Sequence, residues 1–230
     1  YSLIAGTGST DNASFTISGN SLNANVIFNF ENKNSYAIRL NTNDGNGGNF
    51  EKQFSITINN VNEDPSNILL SNNNLDENSN VGSTVGIISS TDMDNVFTHT
   101  YSLIAGDGDT DNASFSVDGN QLKSAKIFDY ETTTSYRIRV RANDGLGGIR
   151  DEPWTILVND VSEAPTNIEI TASSINENNL VHDVIGIISA TDVDAGESYS
   201  FSLVAGTGDT DNTSFVISGD ELKANEQFNF

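Results

Sequence analysis

The sequence predicts an all-β protein built of tandem Greek-key β-sandwiches, seven short strands to a unit. Three observations carry this expectation. Residues 101–115, YSLIAGDGDTDNASF, return almost unchanged as YSLIAGTGSTDNASF at 1–15 and as FSLVAGTGDTDNTSF at 201–215. A period of about one hundred residues suits one small domain per repeat. Short apolar runs are separated by clusters of Gly, Asn, Asp and Ser, with no helical period. The apolar fraction, 36%, is low but leaves a modest core to a unit of ~100 residues.

One complete unit is expected over 65–164. NILL (67–70) reads as its first strand and VGIISST (85–91), rich in β-branched residues, as its second. HTYSLIAG (99–106) alternates and breaks on glycine. SFSVDGNQLK (114–123) reads as a hairpin in which Phe115 and Val117 share a face, Asp118-Gly119-Asn120 turns the chain and Leu122 returns. SYRIRVRAND (135–144) puts Tyr136, Ile138 and Val140 on one face and Arg137, Arg139 and Arg141 on the other, the period of a half-buried strand with Arg139 on its solvated face. EPWTILVND (152–160) closes the unit with Trp154, Ile156 and Val158 inward. Residues 1–64 read as the later part of such a unit and 165–230 as the earlier part. The first lacks two initial strands and the last lacks two final ones, so each is expected to expose core and a sheet edge.

The chain has no cysteine, which excludes disulfides and thiolate metal sites and makes a bound metal a candidate staple. Its 32 acids against 10 bases give a formal net charge of −22. Such a surface repels nucleic acid and anionic membrane and attracts cations; solubility or adaptation to salt is the plainer reading of the same charge. No run of about 20 apolar residues is present to insert into a membrane.

The acids recur at fixed places in the repeat. They stand in DEN (76–78), TDMD (91–94) and TDVD (191–194), FDYE (128–131) against FNFE (28–31), NDG at Asp44 and Asp144, and the junctions NVNEDP (60–65) and DVSEAP (160–165). Successive loops of a sandwich alternate between its poles. Residues 76–78, 129–131 and 160–163 can share one pole, and the loops at 92–94 and 144 the other. Between the second and third repeats this gathers Glu77, Asp129, Glu131, Asp160, Glu163, Asp192 and Asp194. Close like charges of this number need counter-charge, and the bases are too few. Calcium suits the demand: a hard cation that takes 6–8 oxygen ligands from carboxylates, carbonyls and Asn side chains. Zinc would want His or Cys, and His99 and His182 read as surface residues. Magnesium, which keeps its waters, suits such a cage less well.

The ordered set ENx, DxD, DYE, NDG and DVSEAP resembles a cadherin repeat, in particular the cadherin-like repeats of large bacterial surface proteins. The resemblance covers the chain in its three-copy register and implies calcium-bound sandwiches, stiffened at each junction and serving adhesion. By position it implies calcium ligands at Glu77, Asp129, Glu131, Glu163, Asp192 and Asp194 between repeats two and three. Between repeats one and two it implies Glu31, Asn62, Glu63, Asp64, Asp92, Asp94 and Asp144. The chain departs from the pattern at Ser162, Glu163 and Ala164, where the family has Asn, Asp and Asn, and at Asn29, where it has Asp. One or two ions at each junction follow.

GDGDTDN (106–112) sets Asp107, Asp109 and Asp111 in a glycine loop but lacks the Glu that would close an EF-hand loop; a solvated loop and a weak ion site both remain open. No GxSxG, HExxH, phosphate loop or Cys–His pair is present, and paired acids that recur once per repeat do not describe a glycosidase, so no enzyme is expected. The reading is an extracellular, cell-surface stalk stiffened by calcium, whose partners are the neighbouring repeats and a surface glycan or protein. A calcium-dependent carbohydrate-binding module is the alternative, although Tyr36, Tyr136 and Trp154 read as inward rather than as an exposed aromatic platform.

Overall fold

The structure, a computed structural model, describes residues 1–94 and 98–229. The initial segment carries β1 (Ser2–Leu3), β2 (Phe15–Ser18), β3 (Ser21–Ala24), β4 (Ser35–Asn43) and β5 (Asn49–Thr57). The middle segment carries β6 (Asn67–Leu70), β7 (Asn74–Asp76), β8 (Thr84–Thr91), β9 (Thr100–Leu103), β10 (Phe115–Asp118), β11 (Gln121–Ser124), β12 (Ser135–Asn143) and β13 (Ile149–Asn159). The last segment carries β14 (Asn167–Ile170), β15 (Val184–Thr191), β16 (Phe215–Ser218) and β17 (Glu221–Ala224). A single 3₁₀ turn, at Asn12–Ser14, Asn112–Ser114 and Asn212–Ser214, precedes β2, β10 and β16.

The chain divides into two compact units. The first holds residues 1–73, 81–126 and 136–156, and the second 74–80, 127–135 and 157–230. In the first unit, one sheet of the middle segment runs β10-β11-β8-β6, and the facing sheet carries β13, β12 and β9 side by side. The β12 alternation does what its pattern requires: Ile138 and Val140 are fully buried, with Phe115, Leu122 and Ile156 among the core around them. Each of these side chains contributes roughly 1.5–3 kcal/mol by leaving water, so Ile138→Ala is the kind of change that would unpick the sandwich. Phe115 meets Tyr136 edge-on at 6.1 Å between ring centroids.

The expected hairpin forms, with a tighter turn than the sequence suggests. Asp118 still pairs with Gln121, so only Gly119 and Asn120 turn the chain. Gly119 holds φ +60°, a conformation glycine adopts without a Cβ penalty. The strand expected over 99–106 is shorter, Thr100–Leu103, because the chain leaves the sheet at Ile104 for the glycine loop.

The initial segment builds the three-stranded sheet β1-β4-β5 and the β2-β3 hairpin, counterparts of the later strands of the middle segment. Phe15, Phe28 and Tyr36 cluster over it, with centroids 4.7–6.1 Å apart. In the second unit, β14-β15-β17-β16 repeats the order β6-β8-β11-β10. There β7, which the sequence reading missed, pairs in parallel with the Leu157–Asn159 end of β13. Core positions are open in both outer segments: Leu22 is 37% exposed where Leu122 is 0%, and Ile168 is 67% exposed where Ile68 is 6%.

Two expectations about side chains need correction. Arg139 does not merely face water: with Arg141 it clasps Asp151, and its guanidinium also donates to the Asp107 carbonyl at 3.0 Å. His99 is not a surface residue, because its side chain is 8% exposed and lies against Asp92. Its Nδ1 is 2.7 Å from Ser90 Oγ, which is itself 2.9 Å from Tyr101 Oη.

Candidate metal centres

Among the described residues, each unit gathers acids into a group built from loops at strand ends and an extended linker. In the first unit, carboxylate oxygens of Glu31, Glu63 and Asp94 lie within 4.8 Å of one another. Glu31 is delivered by a turn in which Asn29 Oδ1 accepts the Asn32 amide at 2.7 Å. Asp92 and Asp94 follow directly on β8. Asp92 Oδ1 accepts the Asp94 amide at 3.0 Å, and Asp94 Oδ2 accepts the Glu63 amide of the linker at 2.9 Å. Asp94, 7% exposed, also takes the Asn60 side-chain amide on Oδ1.

Asp144 and Asp64 stand beside this trio with other work. Asp144 Oδ1 accepts the amides of Leu146, Gly147 and Gly148, and its Oδ2 accepts Asn62 Nδ2 at 2.6 Å. These donors hold its carboxyl below the usual carboxylate range, the Asn62 amide most of all. Asp64 Oδ1 accepts the Ile149 amide at 3.1 Å. The glycine after this loop is needed, since a Cβ on Gly148 would sit 2.2 Å from Asp144 Oδ2 and 2.8 Å from the Glu63 carbonyl.

In the second unit the acids form a chain of overlapping trios: Glu77, Asp129 and Glu131; Glu131, Asp160 and Asp194; Asp192, Asp194 and Glu197. Glu77 follows β7 and is 3% exposed. Its two oxygens accept the amides of Val161 at 2.9 Å and Tyr130 at 2.7 Å, so it ties two loops to the strand end. Asp129 spends both oxygens on Thr132, amide and hydroxyl, each at 2.9 Å. That is the turn Asn29 makes in the other copy, which explains why an amide is tolerated there. The linker repeats the geometry of the first group: Asp194 Oδ2 accepts the Glu163 amide at 2.7 Å, and Asp192 Oδ1 the Asp194 amide at 3.2 Å. Glu163 also accepts a hydrogen bond from Asn78.

Several oxygens in these groups are buried without a donor: Asn62 Oδ1 and Glu63 Oε2 in the first, Glu163 Oε2, Asp192 Oδ2 and Asp194 Oδ1 in the second. A buried acceptor left unpaired costs about 1–3 kcal/mol, more when charged. The carboxyls of Glu63, Glu131, Asp160 and Glu163 are all pushed up, first by burial and then by neighbouring acids. The folded protein therefore holds these protons more tightly than the unfolded chain does, and ionisation at neutral pH works against the fold. A hard oxygen-seeking cation would reverse both penalties, and the donor set, carboxylates with an amide oxygen, fits one.

Of the residues expected from the sequence, the structure brings Glu31, Glu63 and Asp94 together, and likewise Glu77, Asp129, Glu131, Asp160, Asp192 and Asp194. Glu163 and Asn62 adjoin their groups through the hydrogen bonds above. Asp64, Asp92 and Asp144 lie outside the trios. Glu197 was not anticipated; its position is Phe97 in the preceding copy, so reading down the repeats passes over it. In the glycine loop, Asp109 accepts the Gly106 amide and Asp111 the Arg137 amide. Among the described residues that loop forms no group of three acids within ligand range.

Comparisons with known proteins agree with this architecture. Residues 72–159 match the family model of the cadherin domain. The structure is similar to the Protocadherin GammaB4 extracellular domain, with 20% identity and a TM-score of 0.60 over 94% of this chain and 36% of that one. It is similar to the Protocadherin gammaB7 EC3-6 cis-dimer structure, with 21% identity and a TM-score of 0.63 over 99% of this chain and 58% of that one. For mouse Protocadherin-24 EC1-3 the identity is 16% and the TM-score 0.63, over 99% and 77%. The chain thus spans less than two thirds of the first two. No curated protein sequence matches it. The protein has a cadherin-like β-sandwich fold, and its residues 72–159 match the cadherin domain.

Proposed function

We propose that the chain is a calcium-stiffened part of an extracellular adhesive stalk, with repeat boundaries near 64 and 164. The observation that carries this reading is the set of buried, donorless oxygens in both acidic groups, each beside a linker of a few residues. Calcium, when bound, would supply positive charge shared among these oxygens. The chain's own residues do the rest. Glu77, Asp92 and Asp144 use backbone amides to fix the loops that carry the ligands. The Glu63 and Glu163 amides, held by Asp94 and Asp194, dock each linker onto the loop after β8 or β15. The ligand set read for the first junction is Glu31, Asn62, Glu63, Asp64, Asp92, Asp94 and Asp144. For the second it is Glu77, Asp129, Glu131, Asp160, Glu163, Asp192 and Asp194.

A linker whose side chains are tied into such a group behaves as a rigid coupling rather than a flexible tether. The match to the cadherin domain supports an adhesive, extracellular role, and the bacterial surface setting rests on the sequence motifs alone. No helix among the described residues is long and apolar enough to cross a membrane. Tyr136 is 5% exposed, which counts against the carbohydrate-platform alternative. The test is removal of divalent ions: EGTA is expected to lower Tm and broaden the solution scattering profile, with recovery on calcium and little on magnesium. A melt and a scattering profile indifferent to EGTA would sink the reading.

A further inference from the structure

The two acidic groups follow one pattern, one hundred residues apart, and differ at matching positions. In the linker of the first, Asn62 has a buried Oδ1 with no donor. In the second the same place is Ser162, whose side chain carries a hydroxyl and no carbonyl oxygen. Its hydroxyl instead donates to Glu197 Oε1 at 2.8 Å, and Glu197 stands within 4.8 Å of Asp192 and Asp194 oxygens. Asp92 Oδ2 has His99 Nε2 at 3.3 Å; Asp192 Oδ2 is buried and has no partner, and Tyr199 takes the place of the histidine.

We propose that Glu197 is a cation ligand of the second group, supplying the oxygen that Asn62 supplies in the first. This inference rests on the calcium reading above. Its independent support is Asp194, which is 8% exposed. The Glu163 amide occupies Asp194 Oδ2, so the oxygen left for the trio is Oδ1, which has no donor. Asp192 is in the same state, with Oδ1 on the Asp194 amide and Oδ2 free. Among the described residues, no Lys or Arg forms an ion pair with Asp192, Asp194 or Glu197. Two buried oxygens and one exposed, mobile-stemmed carboxylate suit a cation that tolerates flexible, high coordination, so calcium is the ion of choice over magnesium. Exchanging an amide for a carboxylate also adds a unit of ligand charge, one of the quantities that tunes calcium affinity.

The experiment is calcium titration calorimetry on the whole 230-residue chain. Glu197→Ala, which removes the oxygen that a Gln would keep, is expected to weaken one class of site about tenfold and leave the rest unchanged. Adding Ser162→Asn to that variant is expected to recover most of the loss, because it restores a linker side-chain carbonyl. Glu226→Gln, which removes an exposed acid outside the trio, is expected to change little. If E197A binds as the parent does, or E226Q weakens binding equally, Glu197 is not a ligand while the calcium reading stands. If the double variant stays as weak as E197A, the exchange with Asn62 is wrong. A parent chain that takes up no calcium overturns both.

Discussion

The group around Asp94 and the group around Asp194 begin from the same local chemistry. In each, a DxD segment folds its first carboxylate onto the amide of its second acid, and the second acid receives a linker amide. From there they diverge. The first is braced by neutral or weakly basic neighbours: Asn60 on Asp94, Asn62 on Asp144, His99 on Asp92. In the second, neutral side chains reach Glu163, Glu197 and Asp129 but, among the described residues, none reaches Asp192 or Asp194, and more acids gather, with Glu131 shared by two trios and Glu197 added to a third. One motif can thus be completed by amides or by further carboxylates, and the second choice leaves the group with more unbalanced negative charge.

The comparison can be broken most severely at Glu77. Its carboxylate is buried and holds two backbone amides in the second unit, and Glu77→Ala would leave both without acceptors. A loss of about 3 kcal/mol is expected, read as a drop in Tm that added calcium does not repair. A loss below about 0.5 kcal/mol would show that Glu77 does not organise the group.

The first group is more sharply probed at Gly148. A methyl there collides with the Asp144 carboxylate and the linker carbonyl, so Gly148→Ala is expected to cost about 1–3 kcal/mol by forced displacement. Calcium affinity should fall at one class of site only, which a titration resolves. Equal weakening of both classes would mean that the two groups are not independent.

The smallest effect is expected outside both groups. Asp151 is held below its ordinary carboxylate range, first by its hydrogen bond from Arg141 and then, against burial, by the charges of Arg141 and Arg139. A depressed folded-state value gives stability that is full above the unfolded value and lost as pH falls through the folded one. Asp151→Asn should therefore cost about 1 kcal/mol at neutral pH and nothing in strong acid, with calcium binding unmoved. A difference from the parent that persists in strong acid would remove the ionic explanation.

What the sequence made legible was whatever recurs. Tyr136, Ile138 and Val140 declare a strand because period two survives over nine residues, and the acids declare their places because each place is read in two copies. β7 escaped because three residues, Asn74–Asp76, are too few to alternate, and its parallel partner lies more than eighty residues away. The turn role of Asp129 could have been read, since Asn29 at the same place marks a side chain that accepts a turn amide. Arg139 was misjudged because alternation assigns a face and not the neighbour across it. Glu197 and the contact of His99 with Asp92 were hidden for the opposite reason: each exists in one copy only.

The central claim is that the acidic groups around Asp94 and Asp194 bind calcium, drawn by the donorless oxygens of Asn62 and Glu63 in the first and of Glu163, Asp192 and Asp194 in the second. It is tested most directly by titrating calcium into the parent chain and into the Asp94→Ala/Asp194→Ala double variant. The account predicts saturable uptake of at least one ion per acidic group by the parent, with that uptake abolished in the double variant while its β circular dichroism persists. Undiminished uptake by the double variant, or none by the parent, would contradict it.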